Sequence, residues 1–144
     1  MKKKTLLGLL TIALLAVVSI AFTSCGEDDG DGGVSVSAEQ LYGKWVVTNQ
    51  VVTEKDYGTE TYLGREGEYI IFNEDGTGTI SNKHLFEDGI YGESFIWSVA
   101  GSKLKITDSS EDQYWTVTAI SSNVLQLTWK DSDITEVTNF SKAN

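Results

Sequence analysis

From Lys44 to Phe140 apolar and polar residues alternate in short runs broken by tight-turn signals, and no proline occurs anywhere in the chain. Alternation with a period of two places one face of each run in a core and the other in water, which is the pattern of half-buried strands. Composition points the same way: from Leu41 onward there are 8 Val, 8 Ile and 12 Thr against 3 Ala and 6 Leu. β-Branched side chains pack well on a pleated surface and lose rotamer freedom in a helix.

The runs are Lys44–Thr53, Glu68–Phe72, Thr77–Ser81, Glu93–Ala100, Lys103–Thr107, Gln113–Ile120, Val124–Lys130 and Ile134–Phe140. In the first, alternation puts Trp45, Val47, Asn49 and Val51 on one face. Asp75-Gly76 predicts a hairpin, and the later connections are too short for crossover helices, so the strands are antiparallel. One helical turn is expected at Ala38–Tyr42, where Ser37 and Gln40 have capping-box spacing. Closure removes edges that a proline-free chain has no proline to blunt, which favours a barrel over a sandwich. The expected fold is therefore all-β: a single antiparallel up-and-down barrel of about eight strands. Glu54 to Gly67, with Tyr57, Tyr62 and three glycines, is the stretch expected to form a mobile loop.

The N-terminus is organised differently. Lys2, Lys3 and Lys4 precede an uncharged apolar run from Thr5 to Phe22, the layout of a secretory signal, although its length also borders on a membrane span. Phe22-Thr23-Ser24-Cys25 resembles a bacterial lipobox, in which cleavage before the Cys accompanies its modification with diacylglycerol. The resemblance implies a signal peptide over residues 1–24 and lipid attachment at Cys25 through acyl chains such as palmitate. Two or more acyl chains anchor stably where one binds marginally. Residues 26–33 hold four acids and four glycines, and residues 25–36 read as a self-repelling tether ahead of a domain at 37–144. Glu27, Asp28 and Asp29 resemble the surface-export signal of Bacteroidetes lipoproteins. That resemblance implies an outer-membrane, cell-surface location, with a periplasmic leaflet as the alternative.

Leu41-Tyr42-Gly43-Lys44-Trp45 resembles the Gly-x-Trp signature of lipocalins, in which a helical turn precedes the first strand and the Trp plugs the closed end. Phe72-Asn-Glu-Asp-Gly-Thr77, Phe95-Ile-Trp97-Ser and Leu104-Lys-Ile106 resemble the lipocalin-like domains of Bacteroidetes lipoproteins. The chain lacks the family's central Thr-Asp-Tyr motif and its late Arg that stacks on the first Trp. Its only Arg is Arg65, and Lys130 is the nearest substitute.

Composition narrows the chemistry. The net charge of −10, which becomes −13 without the three N-terminal lysines, argues against nucleic-acid binding. One Cys and one His exclude multi-Cys or His-rich metal centres. His84 lies in a loop without a nucleophile-elbow motif, and the acidic pairs Glu74/Asp75, Glu87/Asp88, Glu111/Asp112 and Asp131/Asp133 lack calcium-loop spacing. No catalytic residue, metal or cofactor is expected. Trp97, Trp115, Trp129, Phe95 and Phe72 lie on apolar strand faces and are the candidate walls of a ligand pocket. Asn49, with Ser98 and Thr116, could add a polar group to it. Two functions compete: binding a small, largely apolar ligand, or acting as an interaction subunit of an envelope protein complex.

Overall fold

A computed structural model of the chain describes residues 32–82, 90–108 and 111–144. Cys25, His84, Glu87, Asp88 and the apolar run at Thr5–Phe22 lie outside them. Among the described residues no helix is long and apolar enough to cross a membrane.

Among the described residues one short helix, α1 (Ala38–Leu41), precedes nine strands: β1 (Gly43–Glu54), β2 (Gly58–Leu63), β3 (Tyr69–Phe72), β4 (Thr77–Asn82), β5 (Ile90–Ala100), β6 (Lys103–Thr107), β7 (Asp112–Ile120), β8 (Val124–Lys130) and β9 (Ile134–Lys142). Strands β3 to β9 pair in sequence order, each antiparallel to the next, and β9 returns to β1 from Trp45↔Lys142 to Glu54↔Ile134. The result is a closed eight-stranded up-and-down barrel with β2 as an extra strand, as the alternation implies.

Strand β2 corrects the reading of Glu54–Gly67 as a mobile loop. It pairs with the far half of β1, from Asn49↔Leu63 to Glu54↔Gly58, while β3 pairs with the near half, from Gly43↔Phe72 to Val46↔Tyr69. Between those ladders β1 advances three residues and the partner chain six. So β2 and β3 are two halves of one broken strand. All six β2 residues are exposed. The segment buries no face of its own and carries no apolar alternation, and it is held by the ladder to β1.

A second difference arises within β1, whose register with β9 shifts between Val47 and Asn49. The bulge at Thr48 reverses the inward parity. Trp45 and Val47 are buried before it, and Gln50 rather than Asn49 is buried after it. Sequence alternation alone carries Asn49 inward because a bulge leaves no hydrophobic signature.

At one end the barrel is shut. The carboxamide oxygen of Gln40 accepts the Ser37 N–H at 2.9 Å, stopping the chain at α1, and Leu41 is fully buried. The Trp45 indole donates to the Leu41 carbonyl at 2.8 Å, tying the plug to the strand that follows. Val34 and Val36 also bury their side chains here, and their N–H groups donate to Val117 and Gly101 carbonyls. Packing thus reaches back into the stretch read as tether. Gly43 makes the turn into β1 at φ +107, and a Cβ there would come within 2.9 Å of Lys142 Nζ. That ammonium lies 4.2 Å from the Trp45 ring centroid and donates to the Tyr42 carbonyl. Lys142, not Lys130, is therefore the cation that stacks on the first Trp. Burial lowers its pKa from the ordinary lysine value.

Candidate functional site

Of the candidate pocket residues, Phe72, Phe95 and Trp97 sit in the closed half. Phe72 meets Phe95 and Trp97 edge-on, at centroid distances of 5.9 and 5.0 Å. Tyr42 packs edge-on against Trp97 from outside the strand, and the Trp97 indole donates to the Thr77 carbonyl at 2.9 Å. The Phe95 ring covers Gly78 so closely that a Cβ there would lie 2.2 Å from it. These rings leave no space between them for a ligand.

Asn49 belongs to a polar ladder across β1, β9 and β8. The Asn139 amide donates to Asn49 Oδ1 at 2.7 Å, and Gln126 donates to Asn139 Oδ1 at 2.8 Å. On β8 Leu125 and Leu127 face the core, so Gln126 and its ladder lie on the opposite surface. Ser98 is exposed, and Thr116 accepts from Lys103 Nζ at 3.1 Å.

Trp115 and Trp129 occupy the open end. There a cavity of about 410 Å³ opens to solvent, lined by Glu111, Asp112, Gln113, Tyr114, Trp115, Trp129 and Glu136. The residues come from the β6–β7 connection and from β7, β8 and β9. The pairings Thr116↔Thr128 and Trp129↔Glu136 bring both indoles and the Glu136 carboxylate onto neighbouring inward positions. Gln50 reaches Glu136 Oε2 at 3.4 Å from β1. Asp112 accepts from Thr107 Oγ1 at 2.7 Å and pairs with Lys105 at 3.1 Å, and these partners hold its carboxyl below the usual range.

Three inward-facing residues carry polar atoms that the described residues do not satisfy, and one of them, Trp115, lines the cavity. Glu68 Oε1, Trp115 Nε1 and Thr138 Oγ1 are buried without a hydrogen-bond partner among the described residues. Each residue is at least nine-tenths buried: Glu68 is 4% exposed, Trp115 5% and Thr138 0%. Such groups ordinarily find partners, because leaving one unmade costs about 1–3 kcal/mol. Sequence reasoning missed Gln50, Glu68, Glu136 and Thr138. Three of them carry a usable signal: Glu68 is in phase with buried Ile70 and Phe72, while Glu136 and Thr138 are in phase with buried Phe140. Gln50 is hidden by the bulge.

Other acids act locally. Asp131 Oδ1 accepts the N–H groups of Asp133 and Ile134, both at 2.7 Å, closing the β8–β9 turn and lowering its own pKa. Asp75 does the same for the β3–β4 turn through the Thr77 hydroxyl and N–H.

The profile of the lipocalin-like domain family matches residues 41–127. A solved structure, a lipocalin-like protein from Bacteroides uniformis, is 16% identical, with a TM-score of 0.46 over 72% of this chain and 99% of that one. No curated protein matches the chain significantly. The chain belongs to the lipocalin-like domain family.

Proposed function

We propose that this is a lipid-anchored lipoprotein whose barrel mouth holds a small ligand between Trp115 and Trp129. The observation that carries the reading is the solvent-open cavity of about 410 Å³ with two indoles in its wall. That volume falls within the ~300–1,000 Å³ of small-molecule sites, where apolar walls supply affinity and a few polar groups set orientation. The lipocalin-like fold typically serves binding, and the proposal involves no catalysis. Anchoring rests on Cys25 and its lipobox-like context, and the acids that follow support display at the outer-membrane surface.

Titrating intrinsic tryptophan fluorescence with uncharged apolar compounds (medium-chain alcohols, sterols, aromatic metabolites) tests the pocket. Saturable change that disappears in Trp129→Ala supports it, and no response to any of them contradicts it. Cys25→Ala should release the protein from membranes; unchanged retention would make the apolar run itself the anchor.

A second reading, an interaction subunit of an envelope complex, draws on β2. That strand and its turn expose Tyr57 and Leu63 at 87% and 76%. Replacing both with Ser should then abolish a co-purifying partner while leaving small-molecule titrations unchanged.

A further inference from the structure

We infer that the mouth selects ligands with a cationic head, an amphiphilic amine rather than a fatty acid; this rests on the pocket reading above. Three of the cavity's lining residues are acids, Glu111, Asp112 and Glu136, and none of the described lining residues is Lys or Arg. The nearby Lys105 is committed to Asp112. Carboxylates beside low-dielectric aromatic walls focus a negative potential into the mouth. An anionic head entering it meets repulsion, whereas an ammonium meets both the carboxylates and the π faces of Trp115 and Trp129.

An unsatisfied atom supplies the independent observation. The Trp115 indole N–H lies in the cavity wall, buried and without an acceptor among the described residues. The indoles of the closed end, by contrast, each donate to a backbone carbonyl. The ligand class that suits this wall is an amine with an apolar body and, close to the cationic centre, a hydroxyl or carbonyl oxygen that the indole N–H can meet.

Decylammonium, decanol and decanoate share one tail and differ only in head charge, so their binding to the folded domain separates the two readings. Followed by tryptophan fluorescence, decylammonium should bind at least about tenfold tighter than decanoate, with decanol between them. Raising the salt concentration should narrow the gap. Glu111→Gln and Glu136→Gln should each weaken decylammonium several-fold and leave decanol unchanged, the latter also showing that each variant folds. Glu74→Gln, in the turn at the closed end, should change neither and so excludes a general effect of net charge. If decanol binds but the three heads bind equally, or decanoate binds tightest, the cation inference is overturned and the pocket stands. If none of the three binds, the pocket reading falls and takes the inference with it.

Discussion

At the closed end of the barrel Trp45 and Trp97 each give their indole N–H to a backbone carbonyl, at 2.8 and 2.9 Å. At the open end Trp115 is equally buried but its N–H has no partner among the described residues, and Trp129 is only half-buried. The same residue type on the same kind of strand thus does two jobs. Where the indole is satisfied and wedged among Leu41, Phe72, Phe95 and Lys142, it stabilises the fold. Where it borders a cavity with its N–H unsatisfied among the described residues, stability is forgone, and this is a common signature of a surface shaped for something other than packing. Removing side chains from one half should therefore affect folding, and from the other half binding.

The largest expected effect is at the plug. Trp45→Ala should cost about 3–5 kcal/mol in denaturant unfolding, since it empties a fully buried site. Trp129→Ala should cost far less while abolishing the fluorescence response to ligand. Equal costs for the two would erase the distinction between the halves. Next in size is Gly43→Ala, about 1–3 kcal/mol, because φ +107 strains any L side chain and Lys142 crowds the added carbon. Thermal melts read this directly.

Thr138→Val sharpens the comparison by reversing its sign. The hydroxyl is buried with no partner among the described residues, so an isosteric methyl should leave stability unchanged or raise it by up to about 1 kcal/mol. A clear loss of stability would mean that the hydroxyl has a structural partner in solution.

The smallest effect lies in the turns. Asp131 has a folded-state pKa below its ordinary 3.8, caused first by the Asp133 N–H and then by that of Ile134. The unfolded chain therefore takes up the proton first as pH falls. The stabilisation is complete above the unfolded value and lost as pH drops through the folded one. Asp131→Asn should flatten the acid limb of a pH–stability curve slightly, by lowering the neutral plateau a little while leaving stability below the folded-state pKa unchanged.

Much of the barrel is legible in the sequence because core and solvent faces alternate wherever a strand packs on the interior. Eight of the nine strands announce themselves in this way, and turn and capping signals add the Asp75-Gly76 hairpin and α1. Strand β2 does not, because a strand exposed along its whole length writes no hydrophobic period. The Thr48 bulge is equally silent, so alternation carried past it gives Asn49 the direction that Gln50 takes. Sequence order alone offers Lys130 as a cation for Trp45, whereas only the β1–β9 register, Trp45↔Lys142, reveals which lysine lies opposite the ring. The site is less legible than the fold. Apolar faces identify all three later tryptophans, but not which end of the barrel each one occupies. That depends on strand register, which separates Trp97 from Trp115 and Trp129.

The most direct test uses the four indole N–H signals of the chain, one from each Trp, in a two-dimensional NMR titration with decylammonium. The account predicts that the Trp115 and Trp129 signals shift and saturate together, while those of Trp45 and Trp97 stay fixed and remain slow to exchange with solvent. Shifts of comparable size at all four, or at Trp45 and Trp97 alone, would contradict a filled closed half and a ligand-binding open one.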